Sequence, residues 1–313
     1  MTINVPDILT YKETNIFLKK VSPIFKLPGK NIPNFYFDVS KTTKIDILGQ
    51  LLIYKFLEYT ATKKCFHAPM TNLKNNNYVA NELKNSGFYH LVDDCFSQTS
   101  KNLDPFLNTM PYKETDGVFL APMTLKRLGI SQRRNDDIKK IQKYYSYNSD
   151  IAYAILTCIG EISNNFQEHA VLDTQSIIVA KGNRNHFEIA CADTGDGIIS
   201  TLGPSLKEKG IVGNIKILRK SIDRNVTSKP QEGHMGCGLW LLNEFVTHSQ
   251  GSLYLFSQGA YLIHHQGKLK VGQTSNWHGT IIYLNIPLTH THTESFSTIL
   301  KRIEPSNINL NIL

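Results

Sequence analysis

No stretch of this 313-residue chain is both long and apolar enough to cross a bilayer, which takes about 20 apolar residues. The longest apolar run, Ile47 to Leu57, is interrupted by Gln50 and Lys55. The opening residues, Met1-Thr-Ile-Asn-Val-Pro-Asp7, show no basic head followed by an apolar segment, so no secretory signal is expected. Charge is sparse as well: 19% of residues are Asp, Glu, Lys or Arg, too few for a long coiled coil or a charge-rich disordered chain. The five cysteines (Cys65, Cys95, Cys158, Cys191, Cys237) include no Cys-x-x-Cys pair and are odd in number. Neither a disulfide framework nor a zinc site is expected from them, and a reducing cytoplasm is their natural setting. No Gly-Lys-Ser/Thr follows the glycine-rich segments, which excludes a P-loop there.

What remains is a chain able to bury a sizeable core. Hydrophobic residues make up 41% and aromatics 10%, and the length suggests two domains. The formal charge of +8 is unevenly placed: residues 1–150 hold 21 Lys+Arg against 14 Asp+Glu, the remainder 13 against 12. The basic side chains are scattered and not interleaved with aromatics in a binding module. A solvated surface is the better reading, and no nucleic-acid partner is expected.

Residues 1–30 read as irregular, punctuated by Pro6, Pro23 and Pro28. Residues 35–39 read as a strand and Ile45 to Tyr59 as a helix, with apolar residues at 45, 48, 52 and 56. A short strand near residues 65–67 and a helix from Tyr78 to Asn85 complete a small α/β unit over 31–135, with no fold assigned to 99–135. Residues 136–150 suggest a polar linker helix. From Ile151 a helix runs to about Ala170, with Ile155, Ile159, Ile162 and Phe166 as its core stripe. Strands are expected at 176–180, 187–192, 252–256, 261–264 and 280–286, with a helix at 239–248. The second domain, 151–290, is thus helices against a largely antiparallel sheet, and 291–313 form a tail.

Chemistry concentrates in that second domain. Glu161 and Asn165 are one helical turn apart, at the polar edge of the stripe. An amide oxygen there can ligate Mg²⁺, and a carboxylate can orient or deprotonate a water or hydroxyl. Asp193-Thr-Gly-Asp-Gly197 follows a strand; its glycines permit a sharp turn, and its first carboxylate can accept from an exocyclic amine. Gly236-Cys-Gly-Leu239 opens a helix, where unpaired N–H groups favour phosphate. Residues 200–233 have the length and composition of a lid, from which Arg219, Lys220, Arg224 and Lys229 could reach phosphates. His290 and His292 could share a strand face, but no third metal ligand is evident. Trp240 and Trp277 read as core or pocket wall.

In this order the segments resemble the GHKL ATPase superfamily, which includes gyrase B, Hsp90, MutL proteins, histidine kinases and anti-sigma serine kinases. Glu161 to His169 resembles its N box, Asp193 to Gly197 its D-x-G-x-G box, Gly236 to Leu239 its G-x-G-L box, and Gly279-Thr280 its final G-T. The resemblance implies a Bergerat fold, a two-layer α/β sandwich with a mixed, mostly antiparallel sheet. It implies ATP and Mg²⁺ as ligands, with Asn165 holding the metal. Asp193 and Thr280 would meet the adenine amine, and Gly195 and Gly197 would pass beside the base. Gly236, Gly238 and Leu239 would form the phosphate end, with His169 near it, and Glu161 would be the catalytic carboxylate. Phe166 and Cys237 depart from the family pattern, and no dimerisation helix with a phosphoacceptor histidine precedes the domain.

In the first domain, Asp38-Val-Ser…Ile45-Asp-Ile-Leu-Gly49 resembles the core of STAS domains, the partners of anti-sigma kinases. Leu48 stands where the phosphorylated partners have serine, which implies docking, not phosphate acceptance. These resemblances imply an ATPase that couples ATP binding, hydrolysis and lid closure to a protein partner through the N-terminal domain, with ATP-dependent homodimerisation as a family trait. A serine/threonine kinase or a non-catalytic ATP-gated switch are the alternatives.

Overall fold

The computed structural model describes residues 1–28, 33–66, 70–88, 117–125, 130–169, 176–228, 236–288 and 298–299. The chain divides into two compact units, Met1–Thr115 with Thr274–Trp277, and Asp116–Gln273 with His278–Leu313. Among the described residues no helix is long and apolar enough to cross a membrane.

Unit 1 holds strands β1 (Thr2–Asn4), β2 (Ile8–Leu9), β3 (Tyr36–Asp38), β4 (Lys44–Ile45) and β5 (Met70–Thr71), with helices α1 (Thr14–Lys26), α2 (Ile47–Lys63) and α3 (Asn77–Asn85). β1, β3 and β5 form a parallel sheet in that order, and β2 pairs with β4, also in parallel. Residues 1–28, read as irregular from the sequence, therefore hold two strands and a helix. Pro23 sits inside α1 without ending it, because Phe17, Leu18, Val21, Ile24 and Phe25 form a buried stripe whose packing outweighs one lost backbone bond. No strand forms at Cys65-Phe66; the third strand of the sheet is β5, a few residues later.

Helix α2 is buried on every face from Ile47 to Thr60, including Lys55 and Glu58, which pair with each other. Asp46 caps it: one carboxylate oxygen accepts from Gly49 N–H at 2.8 Å, the other from Tyr11 N–H at 2.7 Å. Gly49 has a steric reason, since a Cβ there would lie 2.2 Å from the Leu9 carbonyl oxygen. Asp38 accepts from the Asn72 side chain and the Ser40 N–H, both at 2.9 Å, and these bonds hold its carboxyl below the usual range. Leu48 is fully buried. The Asp38, Asp46 and Gly49 pattern thus has local structural work to do. Gly49→Ala should destabilise unit 1 by about 1–3 kcal/mol in urea melts, because overpacking exceeds the roughly 1 kcal/mol that alanine gains in helix propensity.

The segment Thr274–Trp277 belongs to this unit. Trp277 is wholly buried, edge-on to Phe25 at 5.2 Å, and Asn276 N–H donates to Ser22 Oγ at 3.1 Å.

Unit 2 is a seven-stranded sheet in the order β11-β10-β9-β12-β8-β7-β6, built from β6 (Val118–Thr124), β7 (Ile177–Gly182), β8 (His186–Ala192), β9 (Ser252–Ser257), β10 (Ala260–His265), β11 (Lys268–Gln273) and β12 (Thr280–Pro287). Every pairing is antiparallel, where a mixed sheet is implied by the family resemblance. Its helices are α4 (Ile130–Tyr144), α5 (Ser149–His169), α6 (Gly197–Glu208), α7 (Asn214–Lys220) and α8 (Gly238–Ser249). β6 comes from the stretch that has no assigned fold in the sequence. Its Pro122 falls where the register with β7 shifts, the position at which an edge strand tolerates proline.

One core joins Ile155, Cys158 and Ile162 of α5 and Phe245 and Val246 of α8 to Ile189 and Cys191 of β8, Leu255 of β9 and Leu284 of β12. The opposite-facing residues Val179, Ala190, Phe256, Ile281 and Tyr283 are buried too. The central strands therefore read as continuous apolar runs, not as an alternation. Much of the stretch read as a lid is folded: Leu202 and Leu206 of α6 and Ile217 and Leu218 of α7 lie in the core.

Candidate functional site

The residues singled out from sequence gather in two places, both built on the ends of core elements. The first is the start of α8. Helix α5 presents its apolar side to the core and carries Glu161 and Asn165 on its polar edge, toward α8. A Cβ added at Gly238 would lie 2.5 Å from Glu161 Oε2 and 3.2 Å from Asn165 Nδ2. Both side chains therefore reach the first residue of α8, and a larger residue there would have to displace their tips. Gly236 adopts a left-handed φ of 63°, and a Cβ there would meet the Val226 backbone at 2.6 Å. Leu239 packs half-buried against the core.

The residue before α8, Cys237, makes no side-chain capping bond to it, and Leu241 N–H donates to the Cys237 carbonyl at 2.8 Å. The N–H groups ahead of it point out of the helix start, where the helix dipole is positive. The Asn165 amide nitrogen is buried with no hydrogen-bond partner among the described residues, and such orphans cost free energy unless a ligand or water satisfies them. Cys158, one turn before Glu161, is fully buried; burial and then the Glu161 charge push its thiol well above the ordinary range, so it is no nucleophile.

The second place is the end of β8. Asp193 pairs with the first residue of β12: its N–H donates to the Thr280 carbonyl at 3.0 Å, and Thr280 N–H donates to Asp193 Oδ2 at 3.2 Å. Gly195 N–H donates to Asp193 Oδ1 at 2.7 Å. The Thr280 hydroxyl accepts from Ile198 N–H at 2.9 Å, tying β12 to the start of α6. Two glycine positions are compressed here. Gly279 has φ 108°, and its Cβ would fall 2.4 Å from Asp193 Oδ1; Gly197 has φ 75°, and its Cβ would fall 2.7 Å from the Gly279 carbonyl. Gly195 completes the turn through the bond already given. Asp193 is 3% exposed.

Sequence reasoning did not single out Ser257, whose hydroxyl donates to the Gly279 carbonyl at 2.9 Å, or His278, whose Nδ1 lies 3.0 Å from the Thr194 carbonyl oxygen. Neither lies in a recognisable motif; the glycines beside them were the only signal. His169 is the last residue of α5, and nothing further is described of its side chain. Lys229, His290 and His292 lie outside the described residues, as does nearly all of 291–313. Among the described residues no three His, Cys, Asp or Glu side chains converge as a metal site. Cys65, Cys158, Cys191 and Cys237 are free thiols.

An apolar cavity of about 40 Å³ lies elsewhere, between α4, α5, β6 and β7, lined by Leu120, Met123, Ile138, Ile141, Leu156 and Ile159 among others. It contains none of the candidate residues and is too small for a nucleotide.

Comparison of the chain with protein families, curated proteins and solved structures finds no match.

Proposed function

We propose that unit 2 binds Mg²⁺-ATP in the manner of the GHKL ATPases and hydrolyses it. The reading rests on one observation above the others: Glu161 and Asn165 meet Gly238, 77 and 73 positions further along the chain, at a helix start whose N-cap residue makes no side-chain bond and where the Asn165 amide nitrogen is buried without a hydrogen-bond partner among the described residues. A phosphate group is the ligand that such N–H groups favour. Asp193, Gly195, Gly197 and Thr280 form the other end, suited to an exocyclic amine.

Asn165 would hold Mg²⁺ through its amide oxygen, which a half-turn of the amide exchanges with the nitrogen. A single protein ligand is enough, because Mg²⁺ is commonly bound through one or two protein oxygens with waters and substrate phosphates. Bound there, the ion would neutralise phosphate charge. The chain's own residues do the rest. The α8 N–H groups orient the phosphates, Asp193 fixes the base, and Glu161 Oε2 takes a proton from the attacking water. Unit 1, through a STAS-like surface, would pass the nucleotide state to a protein partner. The kinase alternative keeps every one of these roles and replaces the water by a partner's serine or threonine hydroxyl. Leu48, fully buried in α2, argues against that hydroxyl coming from unit 1 at the position the resemblance marks.

Incubation with γ-labelled ATP and Mg²⁺ should release labelled phosphate from the protein alone. Label transferred to a partner protein instead would select the kinase reading. Asn165→Ala should weaken ATP about tenfold or more, the range seen when support for a bound metal is removed. ATP binding that is unaltered in this variant would refute the assignment of the phosphate end.

A further inference from the structure

Four cations of the stretch before α8 stand out from the sequence as able to reach phosphate (Arg219, Lys220, Arg224 and Lys229), and their surroundings distinguish them. Arg219 donates to Asp223 Oδ1 at 2.6 Å and Lys220 to Asp223 Oδ2 at 2.9 Å. Burial alone would raise the Asp223 carboxyl, but the bonds from Lys220 and Arg219 outweigh it and hold it below the usual range. Those two cations are committed. Lys229 lies outside the described residues. Arg224 is exposed and meets no carboxylate among the described residues; its guanidinium carbon lies over the indole of Trp240, 5.0 Å from the ring centroid.

Trp240 is in the first turn of α8, two residues after Gly238, and packs half-buried against the core. The neighbouring contacts run in the same register. Asn225 Oδ1 lies 3.9 Å from Cys237 Sγ, and the Val226 backbone lies against Gly236. Residues 224–226 are therefore aligned with 236–240, and Trp240 is the platform that sets where the guanidinium stands. An exposed cation–π contact is weak, whereas a guanidinium on a phosphate makes short, charge-assisted bonds, often two in parallel. A phosphate brought within reach of Arg224 would therefore outcompete the indole for its guanidinium.

We propose that Arg224, carried on Trp240, is the positioning residue for the terminal phosphate of the bound nucleotide and makes the site prefer ATP to AMP. The inference rests on the nucleotide reading of the site. Its test is titration of wild type, Arg224→Ala, Arg224→Lys and Trp240→Leu with ATP and with AMP, each with Mg²⁺. Arg224→Ala should lose about tenfold or more in ATP affinity and nothing for AMP, as expected for a hydrogen bond to a charged group. Arg224→Lys should recover part of the ATP affinity, since the charge remains but the planar fork does not. Trp240→Leu should lose about two- to fivefold for ATP alone. Because Arg224 is exposed, its variants should keep the wild-type unfolding midpoint. Equal ATP affinity in Arg224→Ala and wild type, or a parallel loss for AMP, would overturn the proposal. If Asn165→Ala weakens ATP while Arg224→Ala does not, the site reading survives and only the role of Arg224 fails. If wild type binds neither nucleotide, both fall together.

Discussion

Glu161→Gln should release phosphate from ATP about 10²–10⁴-fold more slowly than wild type, the usual contribution of a positioned general base, while binding ATP as tightly. The separation of the two effects follows from the geometry. Glu161 Oε2 reaches the start of α8, beside the Asn165 amide, so it stands at the end proposed to take the phosphates and not at the Asp193 end. Glutamine has the same shape and can still accept a hydrogen bond, so the packing against Gly238 is kept. What it loses is the capacity to take a proton. The nearest buried titratable group, the Cys158 thiol, is held protonated by burial and by Glu161 itself and cannot substitute. The comparison to make is kcat against KM: a fall in kcat with KM unchanged assigns proton transfer, whereas a rise in KM alone assigns ground-state binding. Unchanged turnover would remove Glu161 from the chemistry of both the ATPase and the kinase readings.

Much of unit 2 was legible because its pattern is strong. The stripe of Ile155, Ile162 and Phe166 fixes α5, and the same period places Glu161 and Asn165 on one edge of it. The apolar runs Leu253–Phe256 and Ile281–Leu284 give β9 and β12, because a strand buried on both faces has no polar alternation to obscure it. What escaped did so for physical reasons. Pro23 masked α1, since a proline is a breaker only when tertiary packing does not compensate. β11, with Lys268 and Lys270 exposed on a sheet edge, carries too little apolar signal to read as a strand. The compressed glycines were visible as letters, but that Gly279 approaches Asp193 within a side chain's reach depends on β8 and β12 being neighbours. That pairing joins residues nearly 90 positions apart and has no local signature.

Asp193→Asn should weaken ATP by about 100-fold and also lower stability by roughly 1–3 kcal/mol, a pairing of effects that separates it from Glu161→Gln. In wild type the two carboxylate oxygens each accept a backbone N–H, from Gly195 and from Thr280. An amide offers one oxygen and one NH₂, so one of those buried donors must face another donor and is left unsatisfied. The loss of affinity has a separate origin: the acceptor proposed to meet the base's amine becomes a mixed donor–acceptor. A nucleotide bearing a carbonyl in place of that amine should therefore recover affinity toward the Asp193→Asn variant relative to ATP, whereas a purely structural lesion would weaken both nucleotides alike. Titration of Asp193→Asn with ATP and ITP, alongside urea melts, measures the two contributions independently. If the variant loses stability but binds ATP and ITP in the wild-type ratio, Asp193 organises the β8–β12 end without reading the base.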